Sequence, residues 1–136
     1  ACRRVLHQAM QLMQPGITLA QVNDEVGKLW EEEHLRLGLY NMHDLNGQPE
    51  GHPLWKKYYW HGTSHSIGIY VHDCFDKTMP LKPGMVLSCE PGIYIEAEGI
   101  GIRLENDVLI TENGPVNLSA NIPDDPEELE DLLNRS

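Results

Sequence analysis

Residues 61–73 read HGTSHSIGIYVHD and carry three histidines, His61, His65 and His72. An imidazole titrates near neutrality and is the commonest metal ligand, so this cluster points to metal binding or proton transfer. Two carboxylates hold odder positions. Glu90 closes an apolar run, MVLSCE, and Glu105 lies in a second alternating run, GIGIRLENDVLIT, two residues after Arg103. Ionised carboxylates are rarely buried without a partner. Two explanations are open: an ion pair with Arg103 on a sheet surface, or a common cation held by Glu90, Glu105 and one histidine. One imidazole with several carboxylates suits a fairly hard divalent ion, Mn²⁺ or a neighbour such as Co²⁺, Fe²⁺ or Zn²⁺. Arg103 would then orient or neutralise a carboxylate beside the ligands. Ser64 and Ser66 have no visible base, and Cys89 falls on the strand face opposite Glu90, so no serine or cysteine nucleophile is expected. His7, His34, His43 and His52 read as exposed or loop histidines.

The elements that must position these groups follow from periodicity. Val5, Ala9 and Leu12 recur at helical spacing, with Leu6, Met10 and Met13 beside them, and Pro15-Gly16 stops that helix. Thr18-Leu19-Ala20-Gln21 has the form of a capping box for a second helix, which buries Val22, Val26, Leu29 and Trp30 and ends near Gly38. Residues 41–60 are rich in Gly, Pro, Asn and His and read as mainly loop, with the aromatics of WKKYYW covering the core. Leu81–Gly84 (LKPG) is a turn before the strand MVLSCEPGIYI, which Pro91-Gly92 bends. Strict alternation in GIGIRLENDVLIT puts Ile102, Leu104, Val108 and Ile110 on one face, Arg103 and Glu105 on the other. Asp125-Pro126-Glu127-Glu128 starts a C-terminal helix running to about Asn134. The order is an α+β pattern with no internal repeat and no linker.

Composition excludes several classes. A net charge of −11 argues against nucleic-acid binding, which calls for clustered Lys and Arg. No apolar run approaches the roughly 20 residues of a membrane span, and no secretory leader is visible. Cys2, Cys74 and Cys89 are an odd count without CxxC spacing, and read as reduced thiols in a cytoplasmic protein. The acidic tail DDPEELED reads as a solvated helix face.

Three ordered segments, HGTSHSIGIYVHD, LKPGMVLSCEPGIYI and GIGIRLENDVLITENGPVNLS, together resemble the C-terminal part of aminopeptidase P (Xaa-Pro aminopeptidase), within the prolidase and methionine-aminopeptidase superfamily. The resemblance implies the second half of a pita-bread fold over residues 1–136, a curved antiparallel sheet with covering helices. It implies metal ligation by His65, Glu90 and Glu105, with Glu105 bridging two ions, Mn²⁺ in the complete enzyme. It places His61 near the proline side of the scissile bond and His72 on the substrate or reaction intermediate. Two ions about 3.5 Å apart would share and acidify a water, with Glu90 taking its proton. The expected substrate is a peptide with proline at its second position.

Two departures qualify the match. Tyr70 stands where relatives often carry an acid before VHD, outside the ligand set. The family's two further metal-binding aspartates, ten residues apart on an upstream hairpin, have no counterpart here, so the isolated chain is expected to be inactive without the upstream half of the domain. An uncovered sheet edge would then favour association, including homo-oligomers. The alternatives are a prolidase acting on Xaa-Pro dipeptides, from which Ser64 leans away, and a catalytically incomplete pita-bread binding module. Methionine aminopeptidase fits the EPGIY turn and the following strand less well.

Overall fold

The computed structural model describes residues 1–135. Helix α1, Cys2–Leu12, buries Val5, Leu6, Ala9 and Met10. Thr18 then caps α2, Leu19–Arg36, through the expected reciprocal pair: its hydroxyl accepts from the Gln21 N–H, and the Gln21 side chain accepts from the Thr18 N–H. The two helices pack together, with Val22, Val26 and Trp30 fully buried along one stripe of α2.

Within residues 41–60 the expected loop is not continuous. Helix α3, Met42–Asn46, forms one short turn because Asn41 and Asp44 cap it reciprocally, and a 3₁₀ turn follows at Leu54–Lys57. Neither buries a residue fully, so neither leaves an apolar period in the sequence. Tyr59, from WKKYYW, is in the core, while Trp60 is exposed.

The reading of His34 as exposed is wrong. It is fully buried, four residues after Trp30 on the same helical stripe, and stacks on that indole at 5.2 Å with Tyr58 edge-on. Burial lowers its pKa to about 4, so it is neutral near pH 7.

Five strands follow: β1 Val86–Cys89, β2 Gly92–Ile95, β3 Ile100–Arg103, β4 Asn106–Thr111 and β5 Gly114–Asn117. They form an antiparallel sheet β1-β4-β5 and a separate hairpin β2-β3. The pairs Cys89–Asn106 and Gly92–Arg103 belong to one continuous register, so the two long expected strands do run opposite each other. Both are interrupted at one level, at Glu90-Pro91 on one side and Leu104-Glu105 on the other. Proline cannot donate to the ladder, and that level is where the carboxylates lie.

The interruption also corrects the expected apolar face. Val108 and Ile110 are fully buried in the core, but Ile102 is 50% exposed. β2-β3 is two-stranded, and every residue of β3 is exposed. Helix α4, Pro126–Asn134, begins at Asp125 as expected and is solvated. Its approach is tied to α1, where Arg3 pairs with Asp124 at 2.8 Å and Asp125 at 2.9 Å. Among the described residues no helix is long and apolar enough to cross a membrane.

Candidate metal centre

Residues 63–67 lie along β1 and carry His65 to the break. Glu90 N–H donates to the Thr63 carbonyl, Ser88 N–H to the His65 carbonyl, and Ile67 N–H to the Val86 carbonyl. Tyr59 fixes the start of the segment from the core, its buried hydroxyl donating to Thr63 Oγ1 at 2.8 Å. Asn23 of α2 accepts from the Thr63 N–H. A rigid sheet edge and a helix therefore place the imidazole.

His65, Glu90 and Glu105 each bring a ligand atom within 4.8 Å of the other two. His65 Nε2 is 3.3 Å from Glu90 Oε1. On the ring's other side Nδ1 is 3.1 Å from the Ser66 carbonyl oxygen. A carbonyl only accepts, so Nδ1 donates there, and Nε2 is the ring atom turned toward Glu90. Glu90 and Glu105 face each other across the broken ladder, where like charges are destabilising. An imidazole nitrogen and two carboxylates converging on one point form a donor set that fits a hard divalent ion. Arg103 partly answers this charge from the rim, with Nη1 3.4 Å from Glu90 Oε2 and Nη2 3.4 Å from Glu105 Oε2. The structure thus keeps both readings left open above: Arg103 is paired, and the three groups lie close enough together to share an ion.

His65, Glu90 and Arg103 line a pocket of about 430 Å³ together with His61 and His72, and Glu105 stands beside His65 and Glu90. The His72 ring stands edge-on to His65 with centroids 4.3 Å apart. His61 bonds the Gly62 carbonyl through Nδ1 at 2.9 Å and meets the Tyr94 hydroxyl with Nε2 at 2.7 Å. By the same logic Nε2 accepts from Tyr94. All six sequence-predicted residues, His61, His65, His72, Glu90, Arg103 and Glu105, are brought to this one pocket or its rim.

Two contributors were not singled out from the sequence. Ser88 receives the His65 N–H at 3.1 Å and donates to Glu90 Oε1 at 3.4 Å. Tyr94 holds His61. Both lie at even spacing from Glu90, on its side of the strand, and that spacing was the available signal. Burial, with the Glu90 and Glu105 charges adding, pushes the Cys89 thiol up to about 12. Ser64 Oγ is buried without a hydrogen-bond partner among the described residues. Neither is set up as a nucleophile.

The chain is 37% identical over 142 aligned residues to the Xaa-Pro aminopeptidase of Escherichia coli K12, covering 94% of this chain and 31% of that protein. It superposes on the E. coli aminopeptidase P solved with the inhibitor Pro-Leu at a TM-score of 0.84 and 34% identity, covering 98% of this chain and 33% of that one. A zinc-substituted form of the same enzyme with product matches equally well. Proline aminopeptidase P II from Yersinia pestis also gives 0.84, at 31% identity over 99% of this chain and 34% of that one. The chain therefore spans about a third of the length of the relatives it matches. The expected half of a pita-bread fold is present. Residues 1–112 match the metallopeptidase family M24, and the chain belongs to that family.

Proposed function

We propose that residues 1–136 are the C-terminal half of the catalytic domain of a metal-dependent aminopeptidase that cleaves the bond between an N-terminal residue and a following proline. The observation that carries this is the convergence of His65, Glu90 and Glu105 within 4.8 Å beneath a pocket walled by His61 and His72. His65, Glu90 and Glu105 would contribute to holding a pair of divalent ions, Mn²⁺ by the balance of carboxylate over imidazole. The upstream half of the domain would supply two aspartates to complete the pair. Bound metal would supply Lewis acidity and a hydroxide-like water at neutral pH.

The chain's own residues have distinct tasks in this reading. Glu90, steadied by Ser88 and Arg103, accepts the proton released as water attacks. His72 donates a ring N–H to the substrate carbonyl or to the oxygen that gains charge from it. His61, locked by Tyr94 and the Gly62 carbonyl, offers a fixed wall to the prolyl ring. A prolyl nitrogen has no N–H to satisfy, so an apolar wall there loses nothing.

A binding module without catalysis would have no use for an imidazole and two carboxylates gathered at one point. A dipeptide-only prolidase would use the same ligands, but the matched relatives are Xaa-Pro aminopeptidases, which favours longer peptides. Free Cys2, Cys74 and Cys89 fit a reducing compartment such as the cytoplasm. The open β3 strand suits association with further protein surface, whether the upstream half or another copy. The test is Glu105→Gln in the full-length protein with Mn²⁺. Hydrolysis of an Xaa-Pro peptide should fall at least about 1000-fold while the circular dichroism spectrum is kept. Near-normal turnover would remove Glu105, and this reading, from the site.

A further inference from the structure

His72 sits at the end of a stretch that the protein core does not hold. Ile69, Tyr70 and Val71 are 94%, 72% and 74% exposed, so no apolar packing fixes them. The chain entering this stretch is anchored, because Ser66 and Ile67 pair with Leu87 and Val86 of β1. The chain leaving it is anchored by Asp73. Its N–H donates to the Ser66 carbonyl at 3.1 Å. Its carboxylate accepts from the Ile69 N–H at 3.0 Å and the Cys74 N–H at 2.9 Å. Gly68 lies against this carboxylate so closely that a β-carbon there would collide with it. An ionised acceptor binding backbone N–H groups is among the stronger single hydrogen-bond arrangements.

We propose that Asp73 is a positioning residue: by closing residues 69–73 into a ring it sets where the His72 imidazole stands beside His65. The intervening side chains face solvent, and among the described residues the other links are the backbone bonds from Asp73 N–H to the Ser66 carbonyl and from Gly68 N–H to the Tyr70 carbonyl, at 3.2 Å, with the edge-on contact of the His72 and His65 rings; none of these holds the Ile69 N–H. The inference rests on the reading of His72 as the group that bonds the substrate. Its physical content is that an exposed loop transmits the geometry of a buried sheet edge to a catalytic histidine through one carboxylate.

The test uses the full-length protein with Mn²⁺ and the variants Asp73→Ala, Asp73→Asn, Gly68→Ala and His72→Ala. Asp73→Ala should lower kcat/KM about 10- to 100-fold, with Mn²⁺ affinity and Tm near wild type, since His65 keeps its own anchors. Asp73→Asn keeps one acceptor oxygen and should retain more activity than the alanine variant. Gly68→Ala should mimic Asp73→Ala by displacing the carboxyl. In a His72→Ala background, Asp73→Ala should cost nothing further, which a merely structural role would not produce. Hydrogen exchange at residues 69–71 should quicken in Asp73→Ala, and the His72 ring signals should broaden. Additive losses in the double variant, or unchanged exchange at residues 69–71, would overturn the proposal. If wild-type protein cleaves no Xaa-Pro peptide, the proposed function fails by itself, while exchange and the His72 signals still decide the role of Asp73.

Discussion

Replacing Arg103 with glutamine should tighten the binding of a divalent cation and loosen the metal-free protein. The guanidinium bridges two carboxylates, 3.4 Å from an oxygen of each. The ligand atoms of Glu90 and Glu105 lie within 4.8 Å of one another. Two like unit charges at such a spacing repel by about 1 kcal/mol in bulk water and about 3–4 kcal/mol at an effective dielectric near 20. The side chain of Glu90 is 12% exposed but those of Glu105 and Arg103 are 39% and 50% exposed, so screening favours the weak end. About 1–2 kcal/mol is the working figure. In the variant that repulsion has no internal counterweight, and the metal-free fold loses stability of that order. An entering ion relieves the repulsion and no longer meets the guanidinium charge. Its dissociation constant should therefore fall about tenfold, since 1.4 kcal/mol is one decade. Calorimetric Mn²⁺ titration of full-length wild type and Arg103→Gln, at low ionic strength and again at high salt, reads this directly. The difference should shrink in salt as the screening length shortens. Weaker Mn²⁺ binding in the variant would refute the reasoning, because alignment of the carboxylates by Arg103 would then outweigh its charge.

Two further outcomes concern the scaffold. Hydrogen bonding by Arg4, with Arg36 adding, holds the Glu33 carboxyl below its usual range in a buried position. A depressed carboxylate contributes stability that is complete above its unfolded value and is lost as pH falls through the folded one. Glu33→Gln should thus cost about 1–2 kcal/mol at pH 7 and the gap to wild type should narrow as pH falls below the ordinary carboxylate range in urea denaturation; a constant gap would discount the network. His34, neutral with a pKa of about 4, acts the same way in pH but as a liability. Below about pH 6.5 the unfolded chain takes up a proton that the folded chain refuses. His34→Leu should therefore lose about 2–3 kcal/mol less than wild type between pH 7.5 and pH 4; equal losses would mean that His34 is protonated without cost.

The chemistry of the site was legible because it lies in residue types at odds with their surroundings. Glu90 ends an apolar strand and Glu105 interrupts another, and neither belongs there without a positive partner. The helices were legible as well: Thr18 and Gln21 declare the start of α2, and Val22, Val26 and Trp30 its buried stripe. His34 was misjudged because a polar residue four places after a buried tryptophan breaks the apolar pattern without leaving the apolar face. Ile102 was misjudged because alternation reports which side a residue takes, and says nothing about whether anything covers that side. What the tertiary structure alone decided is convergence. Strand spacing put Arg103 and Glu105 on one face, but only the register between two strands set Glu90 opposite Glu105. Only the docking of residues 63–67 on β1 brought the His65 ring to them, with Nε2 3.3 Å from Glu90. A sequence carries local period and local conflict; a site assembled from three segments needs distances between them, and those arise from pairing and packing across the whole chain.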